Sequence, residues 1–170
     1  YQCGDAVTTS GANVAMGYQA LSGLTTGSEH TAIGRGASRT VSTGNYSTAV
    51  GDGSLYNATA GFNTAVGSMS LYTCTSGEIN TAMGQSCFQQ LTSGYRNAGL
   101  GYQTGSNLTT GYKNTFLGEY AGNTATTGSR NICIGSYAAP SSATVSNEVT
   151  IGDTNITKFR IPGLNFELTP

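Results

Sequence analysis

A short alternation of polar and apolar residues is cut off by glycine, and the cut returns at a nearly fixed interval. The glycines are Gly17, Gly34, Gly51, Gly67, Gly84, Gly101, Gly118, Gly135 and Gly152, 17 residues apart except for one interval of 16. Each is preceded by an apolar residue: Met16, Ile33, Val50, Val66, Met83, Leu100, Leu117, Ile134 and Ile151. A column that is never polar is expected to face a core. The segments leading into it, such as Asn63-Thr64-Ala65-Val66 and Asn114-Thr115-Phe116-Leu117, have the period-two pattern of strands, and no segment keeps a helical period.

Two further columns are expected inside. Three residues after the glycine stand Ala20, Ala37, Ser54, Ser70, Cys87, Thr104, Ala121 and Ala138, all small. Seven residues after it stand Leu24, Val41, Ala58, Cys74, Leu91, Leu108 and Ala125, mostly apolar. A second glycine follows ten residues after the first in most units, at Gly27, Gly44, Gly61, Gly77, Gly94, Gly111 and Gly128. Two glycines per unit suggest two tight turns, hence a coil of strand, turn, strand, turn. Asn13, Asn63, Asn80, Asn97, Asn114 and Asn131 share a column at the strand start, with His30, Ser47 and Glu148 in the same place elsewhere. Stacked amides of this kind can hydrogen-bond along a rod.

The fold class is therefore all-β: a repetitive β-solenoid or β-roll of about nine 17-residue coils, each too thin to close a core alone. Residues 1–152 carry the repeat. Residues 153–170 lose it and read as a cap or connector, with Phe159, Ile161, Leu164, Phe166 and Leu168 alternating around Pro162-Gly163.

Composition supports a structural part. Charged residues are 9% of the 170, against about 25% in ordinary domains. The net charge is −1 and seven basic residues read as scattered, which argues against nucleic-acid binding. No apolar run is long enough for a membrane-spanning helix, so membrane insertion is not expected. The eight acidic residues are spread singly, His30 is the one histidine, and Cys3, Cys74, Cys87 and Cys133 lack zinc spacing, so no catalytic residue, metal or cofactor is expected. The candidate binding residues are aromatic: Tyr56 and Tyr72 in one column, Phe62, Tyr95 and Tyr112 in another.

The unit Gly-x-x-Asn-Thr-Ala-(aliphatic)-Gly-x-x-(Ala/Ser), clearest from Gly77 to Ser86, resembles repeats of marine bacteriophage tail fibres and the head repeats of trimeric autotransporter adhesins. The segment Ser146–Gly152 and the run Ile156–Phe166 look like the exit segment of phage tail-fibre proteins. The adhesin unit is usually shorter, about fourteen residues, so the 17-residue period favours the fibre. The resemblance implies a parallel homotrimer and a rigid shaft or adhesion segment of a virion tail fibre. Its implied partners are other fibre or virion proteins and a host cell-surface glycan or protein. A bacterial surface adhesin or extracellular filament subunit is the alternative.

Overall fold

The computed structural model describes residues 3, 4, 9 and 11–160. Among them are nine strands and no helix: β1 (Val14–Met16), β2 (Thr31–Ile33), β3 (Thr48–Val50), β4 (Thr64–Val66), β5 (Thr81–Met83), β6 (Ala98–Leu100), β7 (Thr115–Leu117), β8 (Ile132–Ile134) and β9 (Val149–Ile151). They pair in parallel, each with its sequence neighbours, as one sheet ordered β1 to β9. The chain is a β-solenoid of about eight turns. Register is kept across the 16-residue unit, where Thr48 meets Thr64 as Thr31 meets Thr48.

Only one strand forms per coil, not two. The rest of the coil is bent by residues in the left-handed region, and these recur in columns. Two residues after the first glycine come Gln19, Met69, Ser86, Gln103, Tyr120 and Tyr137, with Gly36 and Gly53 in the other two coils. Four after it come Leu21, Ser38, Leu55, Leu71 and Phe88, then Gly105 and Gly122. The third column precedes the Asn position: Ala12, Glu29, Tyr46, Phe62, Ile79, Arg96, Lys113, Arg130 and Asn147. A non-glycine residue pays about 1–2 kcal/mol for this conformation. What holds it is a neighbouring coil: Lys113 N–H donates back to Tyr95 O (3.0 Å) and Met69 back to Asp52 O (2.9 Å), while Leu71 donates forward to Cys87 O (3.0 Å). The corners are thus laddered like the strand.

The first glycine has a positive φ, +133° at Gly34, and a Cβ there would lie 2.5 Å from Gly51 O. The second glycine acts differently from expectation. Gly111 is not at positive φ; a Cβ on it would lie 2.3 Å from Gly128 O, so close approach of the next coil excludes a side chain.

The core also differs in one column. Ala20, Ala37, Cys87 and Ala121, and Leu24, Cys74, Leu91 and Leu108, are buried as expected. The residues before the first glycine are not: Met16, Met83, Leu100, Leu117, Ile134 and Ile151 are exposed, and Ile33, Val50 and Val66 half-buried. Alternation has the opposite phase, because the middle residue of each strand points inward: Ala32, Ala49, Ala65, Ala82, Phe116 and Cys133 are buried. A second inward column, Leu21, Leu55, Leu71 and Phe88, exists because the left-handed bend turns it to the same side as the small residue before it.

Two coils break the pattern and compensate each other. Phe88 fills space left by Gly99 and Gly105, where a Cβ would sit 2.6 and 2.4 Å from its ring. Phe116 does the same against Gly122, and the two rings lie 6.0 Å apart.

The Asn column forms a buried ladder. Asn80 Oδ1 accepts from Asn97 N–H (3.0 Å) and Asn97 Nδ2 (3.0 Å), and Asn97 Nδ2 also donates to Gly111 O (2.9 Å). The same pattern links Asn63 to Asn80 and Asn97 to Asn114. His30 interrupts it. Its Nε2 donates to Gly44 O (2.6 Å), doing the Asn amide's work, but its buried Nδ1 has no partner. Burial holds the imidazole below its ordinary pKa of 6.5.

The four cysteines are free thiols, three of them buried. Burial pushes Cys87 up to about 12 and Cys74 and Cys133 to about 11. Beyond β9 the described residues form no strand, and Ile156 and Phe159 are exposed. Ile161, Leu164, Phe166 and Leu168 lie outside the described residues.

Two outcomes follow for stability. Gly99→Ala and Phe88→Leu each destabilise, the first by overlap and the second by a void. Combined, they are expected to be less costly than their sum by about 1 kcal/mol or more in a denaturation double-mutant cycle. His30→Asn replaces the unpaired Nδ1 acceptor with an amide oxygen of the kind the ladder uses and should raise the melting temperature. Because the folded-state pKa of His30 is depressed, the unfolded chain takes up the proton first. The wild type should therefore lose stability as pH falls below 6.5, and melts of the two proteins from about pH 7 to pH 5 should diverge.

Candidate functional site

The reversed phase of the strands leaves one broad face of the rod unfinished. Its first column is Val14, Thr31, Thr48, Thr64, Thr81, Ala98, Thr115, Ile132 and Val149. Its second is the aliphatic column from Met16 to Ile151. Three-residue strands stacked nine high give a flat area of about 10 by 40 Å, or about 400 Å2. Five residues of the first column are Thr, so the apolar part is the continuous aliphatic column, and a contiguous exposed apolar strip of this kind is often functional. The sheet also has a shallow depression of about 200 Å3, framed by Thr81, Met83, Leu100, Thr115 and Leu117 where Ala98 and Gly99 are small.

The candidate aromatics form stacks along the rod axis. Tyr56 and Tyr72 lie 5.1 Å apart, and Tyr95 and Tyr112 lie 5.0 Å apart with planes only 3° from parallel. Phe62 does not join the second pair. The residue missing from the 16-residue unit is the one after Gly61, which shifts Phe62 into the column of Tyr46, its stacking partner at 5.3 Å. Arg39 covers Tyr56 at 5.2 Å and donates to its hydroxyl. Stacking occupies ring faces, so these residues stabilise the coil as well as offering their edges outward. A third group, Tyr102, Tyr120 and Tyr137, was hidden from a column-by-column reading because it spans two neighbouring columns; its centroids are 5.3 and 4.9 Å apart.

The Thr hydroxyls of the turns are largely spent within the fold. Thr75, Thr92, Thr109 and Thr126 donate to carbonyls of the next coil at 3.0 to 3.2 Å.

Three of the seven cations are not scattered. Arg96, Lys113 and Arg130 are 17 residues apart, occupy successive rungs of one left-handed corner, and are all exposed. Their shared spacing was the available signal. Among the described residues the one ion pair is elsewhere, Arg35–Asp52 at 2.7 Å, beside Tyr18, Tyr56 and Tyr72 in a recess of about 300 Å3. No group of three or more His, Cys, Asp or Glu suited to a metal ion occurs among the described residues, and these contain no helix long and apolar enough to cross a membrane.

Comparison with protein-family models, curated proteins and solved structures gives no match.

If the stacks stabilise the coil, Tyr112→Ala should lower stability by about 1 kcal/mol while leaving the circular dichroism spectrum β-rich. Thermal melts of the purified variant check this.

Proposed function

We propose that the chain is a shaft segment of an extended surface fibre of the phage-tail type. Copies associate in parallel through the apolar sheet face, and the rod holds a host-recognition surface away from the particle. The observation that carries this reading is the unpartnered aliphatic column from Met16 to Ile151. It runs the length of the described rod, whereas the Thr turns and aromatic stacks make their bonds within the chain.

Three copies arranged about an axis would each turn this face inward and cover it. Closed symmetry would stop growth sideways and leave the corners, with their tyrosines and cations, outward. Many weak contacts along such a fibre would add by avidity. The 17-residue unit and its Asn-Thr-Ala-(aliphatic)-Gly core support the fibre reading over an isolated domain.

Light scattering on the purified chain is the test. The expected mass is about 52 kDa, three copies of a 17.3 kDa chain. Leu100→Asp, at the centre of the face, should shift the mass toward the monomer with the solenoid intact. A wild-type mass of 17.3 kDa would refute the reading.

A further inference from the structure

We infer that the corner formed by Arg96, Lys113 and Arg130, with Tyr95 and Tyr112 beside it, is a binding site for an acidic polysaccharide. The inference rests on the surface-attachment reading and names the ligand class of that attachment, but it does not depend on the number of copies.

The three side chains project from consecutive coils, so their attachment points are about 4.8 Å apart and span about 10 Å. Like charges in adjacent rungs repel. None of the three makes an ion pair, although Glu78 precedes them by one rung beside Tyr95, and Arg96 N–H donates only to the Glu78 main-chain O at 3.0 Å. A chain with so few charges has thus placed three of its seven cations in one uncompensated row.

The row is also pre-ordered. Arg96 lies over the Tyr95 ring at 5.9 Å and Arg130 over the Tyr112 ring at 5.6 Å, while the two rings stack on each other. The result is a ring pair with a guanidinium near each ring, and Lys113 is exposed on the rung between Arg96 and Arg130. Fixing the guanidinia in advance lowers the entropy lost on binding.

A ligand that satisfies this row must carry anionic groups at a matching repeat and tolerate an aromatic wall. A polysaccharide with one carboxylate on each sugar does both: its charges recur once per ring, and its apolar C–H groups can lie along the tyrosine ring edges, the faces being taken by stacking. The exposed corner, running along the rod over three coils, suits a long chain engaged side-on. Three rungs give weak single-site affinity, which repetition along a polymer would multiply.

The full-length protein in its native assembly should be titrated with polygalacturonate at low ionic strength, with neutral dextran and oligothymidylate as comparisons. Binding is expected to polygalacturonate but not dextran, and to weaken as salt rises. The R96Q/K113Q/R130Q variant should lose about tenfold or more in affinity. R35Q/R39Q, which removes two cations elsewhere, should bind as wild type. The inference is overturned if wild type does not bind, if the triple variant binds equally, or if R35Q/R39Q loses as much. Tighter binding to oligothymidylate would overturn the ligand class. A trimeric mass with no binding defeats this site alone; a monomeric mass with binding defeats the assembly and leaves the site.

Discussion

Backbone pairing between successive coils is the constraint on which the rest of the structure depends. In an ordinary sheet that pairing stops where the strands end. Here it continues round the corners, because left-handed residues at fixed columns aim their N–H groups at the neighbouring coil. Each such bond, worth about 1 kcal/mol net, offsets much of the ~1–2 kcal/mol of local strain that makes it possible. The pitch then has little freedom. At Gly111 the next coil's backbone is so near that a side chain has no room, and at Gly34 both conformation and space demand glycine.

Given that scaffold, the side chains divide by column. Residues turned inward are small or medium, and where one is too large its neighbours shrink, as Gly99, Gly105 and Gly122 do around Phe88 and Phe116. The buried asparagines are satisfied by a ladder between coils, while a buried hydroxyl such as Ser54 bonds within its own coil to Gly51 O. The ladder runs from Asn63 to Asn131, and His30 meets its pattern incompletely. Residues turned outward divide again, into an aliphatic sheet face and corners rich in tyrosine and cations. That asymmetry underlies the proposed role: one side shaped to be covered by like copies, the others left for a foreign surface.

Much of this was legible in the chain. The repeat, the absence of helix, the small column and the Asn ladder all follow from which residues recur every 17 positions. What failed was phase. Thr-Ala-Val alternates equally well with Ala inside or Val inside, and hydrophobicity alone favoured Val50 and Val66 as core. Only the narrowness of the coil, which admits Ala49 and Ala65 but not a ring of large aliphatics, decides against it. The second strand failed for a related reason, since positive φ at residues such as Leu71 and Met69 has no signature in their identity. Phe62 was misplaced because a deletion marked by glycine spacing does not say on which side of Phe62 it falls. The cation row is legible from its 17-residue spacing, which the near-zero net charge conceals.

Amide hydrogen exchange tests the central claim most directly. If every corner is laddered to a neighbouring coil, the N–H groups of Met69, Leu71, Lys113 and Tyr120 should be protected to the same degree as those of strand residues Thr64 and Thr115. Protection confined to the three-residue strands, with corner amides exchanging freely, would contradict the account.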